Sequence, residues 1–264
     1  MTHTRTIRHG EAVLHVEIEG PEGLPWLIAS NSLATDLSMW DDQMATLVQR
    51  RRVVRYDTRG HGRSSAPDGP YSFEMLVGDM VAVLDALDIQ EVDILGLSLG
   101  GMTALGIALQ HPTRVRSLVC AQARGMFPPA GIEMWDQRAA AVRDGGMAAV
   151  VDDTLSRWFM PETHENRPQV IDKARRMILG TSAGGYISCT AALKQLDYLR
   201  RLGNIAKPVL YIAGELDGGA PVAAMREMAD ATPGSRFEVI SGAAHIGNME
   251  KPSAYNRLLG DFLQ

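Results

Sequence analysis

Several things are scarce in this chain of 264 residues, and each scarcity closes a class of function. There are only two cysteines, Cys120 and Cys189, without metal-ligand spacing. The seven histidines are scattered, with no His-x-His or His-x-x-x-His pair, so no metal site is expected. No uncharged apolar run approaches the length that spans a bilayer. The start, Met1-Thr2-His3-Thr4-Arg5, lacks the apolar core of a secretion signal, which gives a soluble, cytoplasmic reading. Positive charge is also short: the net charge of −5 argues against nucleic acid or an anionic membrane as the main partner. The one dense basic run, Arg50-Arg51-Arg52, reads as a solvated helix end.

What is present is 45% apolar residues and an alternation of short strands and helices. Ala12 to Glu19 alternates apolar and charged residues, as a half-exposed, antiparallel strand does. Pro25 to Ser30, Arg52 to Tyr56, Val92 to Leu95 and Val115 to Ala121 are short apolar runs of the buried-strand kind, and Cys120 reads as a small core residue in the last of them. Helical spacing marks Ser38 to Gln49, and Ser72 to Leu87 carries a stripe of Met75, Leu76, Met80, Val83, Leu84 and Leu87. From Arg124 to Gly203 strand-like runs vanish and charged helical segments take over. The alternation then resumes with strands Val209 to Ala213 and Arg236 to Ile240, and helices Pro221 to Asp230 and Pro252 to Phe262. The pattern predicts an α/β fold with a mostly parallel sheet covered on both faces. Residues 1–123 and 204–264 form its core and 124–203 a helical cap inserted into it.

Within that pattern, Gly96-Leu97-Ser98-Leu99-Gly100 follows a strand and precedes the helix-compatible stretch Met102 to Gln110. Strand, sharp turn and helix with serine at the apex is a nucleophile elbow, which needs small residues two before and two after the serine. A serine hydroxyl is a weak nucleophile and needs a histidine base oriented by a carboxylate. Three histidines follow Ser98; His111 at a helix end and His164 among charged residues read as surface groups. His245 follows a strand, in the small-residue loop Ser241-Gly242-Ala243-Ala244-His245, and is the candidate base. Asp217, past the strand ending at Ala213, is the candidate acid; Glu215 competes, and capping the helix near Pro221 is its plain structural alternative. The other usual place for an acid reads Cys120-Ala121-Gln122-Ala123, with no carboxylate. Backbone N–H groups of Leu99 and of Leu33, in the loop after the strand ending at Ser30, are the candidate oxyanion hole.

Ser30 to Trp40, Arg55 to Ser64, Gly69-Pro70-Tyr71-Ser72, Gly96 to Met102 and Ala244 to Glu250 resemble the α/β-hydrolase superfamily, and within it the 3-oxoadipate enol-lactonases. The stretches around Glu133-Met134-Trp135, Ser156-Arg157-Trp158-Phe159 and Gly185-Tyr186 extend the likeness through the insertion. The more specific feature is Asn31-Ser32, where most of the superfamily carries His-Gly. The resemblance implies the α/β-hydrolase fold, Ser98, Asp217 and His245 as triad, and Leu33 and Leu99 as oxyanion hole. Two departures stand out: Leu99 where enol-lactonases more often have Met, and Ala121 to Pro129, which leads from the sheet into the cap.

The expectation is therefore a serine hydrolase without a cofactor, opening a small lactone. Its partner is a small-molecule substrate carrying a carboxylate, not nucleic acid or membrane. Arg124 is the cation placed to meet that carboxylate; Arg138 and Arg157 are weaker candidates that read as ordinary surface charge, and Trp135 reads either as a wall of the pocket or as a plain core tryptophan. A carboxylesterase, a C–C bond hydrolase or a cofactor-free perhydrolase would use the same triad. A dehalogenase would need Asp at position 98, and a ligand receptor of this fold would not need the triad. Nothing in the pattern sets an oligomeric state.

Overall fold

The computed structural model describes residues 2–264. Among the described residues eight strands form one sheet in the order β1-β2-β4-β3-β5-β6-β7-β8. In chain order these are β1 (His3–His9), β2 (Ala12–Glu19), β3 (Trp26–Ser30), β4 (Arg52–Tyr56), β5 (Val92–Leu97), β6 (Val115–Ala121), β7 (Val209–Gly214) and β8 (Arg236–Ile240). β1 and β2 are antiparallel to their neighbours, and every other pairing is parallel. β5, flanked by β3 and β6, is buried throughout, which is why Val92 to Leu97 reads as a continuous apolar run. The sequence pattern predicts nothing before Ala12. β1 is nonetheless a strand, and its only fully buried residue is Ile7, so it has no apolar alternation to read.

The helices are α1 (Asp41–Leu47), α2 (Phe73–Ala86), α3 (Leu99–Gln110), α4 (Pro129–Gly145), α5 (Val151–Trp158), α6 (Pro161–Asn166), α7 (Pro168–Gly180), α8 (Ala183–Lys194), α9 (Val222–Asp230), α10 (Gly247–Glu250) and α11 (Pro252–Phe262). α4 to α8 lie consecutively between β6 and β7, the stretch where strand-like runs vanish. The helix expected over Ser38 to Gln49 is two pieces: a 3₁₀ turn, Leu37–Trp40, capped by the Asp36 carboxylate on the Ser38 N–H at 2.9 Å, and then α1. Leu76, Met80, Val83 and Leu84 of the expected α2 stripe are buried, and Leu87 packs against the core. Met75 is 42% exposed, while Val77 and Asp79 are buried. Asp79 faces inward because Arg59 grips it through two bonds of 2.6 Å.

The basic run corrects another expectation. Arg51 is buried, not solvated: its Nε donates to Asp93 of β5 at 2.6 Å, and Ser117 adds a bond of 2.7 Å to the same carboxylate. Arg52 lies over the Trp26 ring. These charges tie the edges of the central strands together, and removing one partner of such a buried pair costs about 3–5 kcal/mol.

The Asp57 to Ser64 loop after β4 is held in the same way. Asp57 accepts from the Leu37 and Arg63 N–H groups at 2.8 Å each. Its neighbour Gly60 meets Gly185 of α8 backbone to backbone: a Cβ on Gly185 would lie 2.5 Å from the Gly60 Cα. Ser182 N donates to Gly60 O at 3.1 Å across the same seam. The inserted helices are thus seated directly on the loops at the carboxyl ends of the strands.

Candidate active site

The turn at Ser98 follows from the packing of β5 against α3. Ser98 has φ 55° and ψ −116°, a strained conformation for a residue with a side chain. Its N–H donates to Ala121 O of β6 at 2.9 Å, and its carbonyl accepts from Met102 N at 2.9 Å. A Cβ on Gly96 would lie 2.2 Å from Gly100 O, and one on Gly100 would lie 2.0 Å from Ser30 O. Only hydrogen fits at both places, so the two glycines are what allow the elbow to form.

His245 and Asp217 arrive from the tips of β8 and β7. Their loops are laced together by Glu215 N to Ile240 O at 3.1 Å and Leu216 N to Ala243 O at 2.9 Å. His245 Nε2 lies 3.0 Å from Ser98 Oγ, and His245 Nδ1 lies 2.8 Å from Asp217 Oδ2. An ionised carboxylate only accepts, so Nδ1 carries the proton and Nε2 is left to accept from the serine hydroxyl.

Asp217 is almost fully buried. Burial alone would push its pKa up. The His245 charge and hydrogen bond, with the Ala220 and Gly219 N–H groups, outweigh that and hold it below the usual carboxylate range. Its second oxygen takes Gly219 N at 2.7 Å and Ala220 N at 3.0 Å, so it braces the turn before α9 and also orients the histidine. Glu215 is spoken for elsewhere: it accepts from Ser241 Oγ at 2.7 Å and Gly242 N at 2.8 Å.

Ser98 and His245 open onto a cavity of about 280 Å³. Ser32, Leu33 and Ala34 line it from the loop after β3. That loop is drawn tight by Thr35, whose N–H and hydroxyl both donate to Ser32 O, at 3.2 and 2.8 Å. The Leu33 N–H meets no protein acceptor among the described residues. Leu99 is the first residue of α3, where a backbone N–H has no partner within the helix. The arrangement can take a proton from Ser98 and offers donors beside a tetrahedral oxyanion.

The opposite wall comes from the inserted helices. Met134, Trp135 and Arg138 of α4 and Arg157 and Trp158 of α5 line the cavity, joined by Arg124 from the segment after β6. Trp135 packs edge-on against Phe127 at 5.8 Å between ring centroids. The expectation that Arg138 and Arg157 are ordinary surface charges does not hold. Arg138 is 8% exposed and spends its guanidinium on the cavity wall, bonding Tyr186 Oη at 3.0 Å and also Asp153 and Thr154. Arg157 uses Nε on Asp153 at 3.2 Å. Arg124 uses Nε on Gly219 O at 2.6 Å, and its terminal nitrogens meet no protein acceptor among the described residues. His164, expected at the surface, is half-buried, with Nε2 3.3 Å from Leu155 O and its ring against Phe159. It does not line the cavity.

Two residues of the site escape sequence reasoning. Gln122, just past β6, is fully buried with φ 40°, and it lines the cavity. Neither polar atom of its amide has a protein partner. Its position is the one searched for a carboxylate, and an amide there is the missed signal. Glu250 is fixed inside the protein beside the histidine loop.

The comparisons with known proteins fit this geometry. A family model described as alpha/beta hydrolase fold matches residues 25–167 and 183–252. The chain belongs to the α/β-hydrolase family. This hydrolase is 37% identical to 3-oxoadipate enol-lactonase 2 of Acinetobacter baylyi, over 95% of this chain and 93% of the relative. The crystal structure of the enol-lactonase from Burkholderia xenovorans matches with a TM-score of 0.95 and 37% identity, covering 98% of this chain and 99% of that one. A thermophilic esterase from Thermogutta terrifontis, with malate bound, matches at TM-score 0.90 and 26% identity over 100% of this chain and 98% of that one.

Proposed function

We propose that this hydrolase opens a small lactone, 3-oxoadipate enol-lactone or a close analogue, through an acyl-enzyme on Ser98. The observation that carries the reading is the Ser98–His245–Asp217 chain of hydrogen bonds, 3.0 and 2.8 Å long, at the floor of the cavity. The names of its relatives supply the substrate class.

In this reading Ser98 Oγ attacks the lactone carbonyl as its proton passes to His245 Nε2. The Leu33 and Leu99 N–H groups receive the oxyanion; each such donor is worth about 10²–10³ in rate. The tetrahedral intermediate collapses by breaking the bond from carbonyl carbon to ring oxygen, and His245 returns its proton to that oxygen. The leaving oxygen stays tethered to the acyl chain. Where it is an enol, tautomerisation to the ketone makes the opening hard to reverse. Water then attacks the acyl-enzyme, giving a proton to His245 Nε2, which passes it to Ser98 Oγ as the carboxylic acid leaves.

Residues 124–203 act as a cap over a core made of 1–123 and 204–264. Arg124 faces the substrate's own carboxylate, because its terminal nitrogens are uncommitted where those of Arg138 are spent. Trp135 walls the ring. The setting is the cytoplasm; no helix among the described residues is long and apolar enough to cross a membrane.

The test is a turnover panel of the enol-lactone, a simple lactone, a nitrophenyl ester and a vinylogous diketone, with a fluorophosphonate as probe of Ser98. The reading expects stoichiometric labelling at Ser98 and the highest kcat/KM on the enol-lactone. Labelling with faster turnover of the plain ester would make the protein a carboxylesterase. Failure to label Ser98 would end the acyl-enzyme reading.

A further inference from the structure

Glu250, at the end of α10, is a buried carboxylate that the mechanism leaves unused. Its two oxygens face different parts of the molecule. Oε1 accepts from Met160 N at 2.7 Å and Thr163 Oγ1 at 2.8 Å, both in the inserted helical region at the start of α6. Oε2 accepts from Ala244 N at 2.6 Å, and Ala244 immediately precedes His245. The residue on the other side of the histidine is tied to the same region: Ile246 N donates to Trp158 O at 3.2 Å. Arg167, between α6 and α7, adds bonds from Nη1 to Met249 O at 3.1 Å and Glu250 O at 2.8 Å. Both peptide N–H groups flanking His245 are thereby attached to the insertion, one through Glu250 and one directly.

We infer that Glu250 is a positioning residue for His245, through which the seating of the inserted helices sets the place of the imidazole. This rests on His245 being the base in the proposed function. Three acceptor bonds in a buried setting fix the carboxylate, because each lost bond leaves a polar group unpaired. The loop it holds is otherwise built of small residues, Ser241 to Ala244, and its other side-chain anchor is Glu215, which bonds Ser241 Oγ and Gly242 N at the far end from His245. A base displaced by a fraction of an ångström no longer meets Ser98 Oγ in line, and misplacement near 1 Å costs roughly 10²-fold in rate. The insertion then has two roles: it walls the cavity, and it holds the catalytic base in register.

The experiment compares Glu250→Gln and Thr163→Val with wild type, using nitrophenyl acetate for kcat and KM and a fluorophosphonate for the rate of Ser98 labelling. Val83→Ala, in α2 and remote from the cavity, serves as a control for lost stability alone. In Glu250→Gln an NH₂ faces one of the N–H or O–H donors. The expected result is a fall in kcat of roughly 10- to 100-fold, KM within about twofold, and labelling slowed in proportion to kcat. Thr163→Val, which deletes one bond and leaves Glu250 in place, is expected to lower kcat about threefold by the same route, with KM unchanged. It carries the test if Glu250→Gln is not recovered folded. A downfield proton resonance from His245 Nδ1–H should broaden in both variants and persist in Val83→Ala. Variants that lose thermal stability but keep kcat, labelling rate and resonance would overturn the inference. His245→Ala in the same assays isolates the other failure: if that variant keeps its rate, the base assignment is wrong whatever Glu250 does.

Discussion

The two walls of the cavity are built by opposite means. The floor is backbone: the tips of β3, β5, β6, β7 and β8 meet there, glycines let main chains touch, and Ser98, Asp217 and His245 are held by bonds of 2.7 to 3.0 Å. The roof is side chain: Met134, Trp135 and Trp158 supply apolar surface, and Arg138 and Arg157 share Asp153. A floor fixed by main chain can place reacting atoms tightly, while a roof of side chains can be reshaped without moving them. Changes in the floor should therefore act on kcat, and changes in the roof on KM and substrate preference.

The strongest attempt to break that division is Asp217→Asn. The amide fits the same space, but it presents a donor where His245 Nδ1–H needs an acceptor, and the imidazole is left in the wrong tautomer. The expected loss is about 10⁴-fold in kcat with KM little changed. A tenfold loss or less would mean that the floor does not work through the orientation of His245.

The contrast between floor and roof also governs how much could be read from the sequence. Ser98, Asp217 and His245 are legible because each follows a strand-like run in a fixed chain order, and the elbow needs glycine at 96 and 100 for steric reasons. Roof residues carry no such rule. Arg138 and Arg157 look like any charge on a helix, and only the folded structure shows one of them buried under Tyr186, Asp153 and Thr154. β1 is invisible for a related reason: an exposed edge strand with one buried residue has no pattern. Arg51 looks like a solvated charge because its partner, Asp93, is 42 residues away in sequence. Local pattern finds what the backbone dictates and misses what distant side chains decide.

A second, smaller effect concerns stability alone and lies outside both walls of the cavity. His61, in the loop after β4, is buried with Nδ1 3.0 Å from Arg59 O, and burial pushes its pKa down to about 4. In the unfolded chain its pKa is about 6.5, so between these values the unfolded state binds the extra proton. Stability therefore falls as pH drops from about 6.5 towards 4, by on the order of 3 kcal/mol in all. Asp217, whose pKa lies below the usual range, keeps its contribution through that window and loses it only at lower pH. Urea unfolding at pH 7 and pH 4.5 should show the loss in wild type and a much smaller one in His61→Asn. Equal losses in both proteins would assign the acid sensitivity elsewhere.

Arg124 probes the join between floor and roof, since it leaves the tip of β6 and reaches the cavity before α4 begins. Its burial lowers its pKa, and the nearby Asp217 only partly offsets that, so a substrate carboxylate would relieve a charge left short of partners. Arg124→Ala should raise KM for a carboxylated lactone about tenfold and leave KM for a neutral nitrophenyl ester within about twofold. An equal rise for both substrates would make Arg124 a structural brace through Gly219, not a selectivity element.

The smallest expected effect is at Leu99, where the relatives the sequence resembles more often carry Met. Leu99, the first residue of α3, is buried, and its side chain is not among the cavity walls. In the proposed function its part is the N–H at the first position of a helix, and that group is the same for either residue. Leu and Met fill similar volumes, so Leu99→Met should cost under about 1.5 kcal/mol of stability. Values of kcat and KM on the enol-lactone and on a nitrophenyl ester should stay within about twofold of wild type. The floor would then be indifferent to a side chain wherever the backbone does the chemistry. A change in the ratio of the two substrates would show instead that the difference between this chain and its relatives reaches the pocket from below, through Leu99, as well as from above through Ala121 to Pro129.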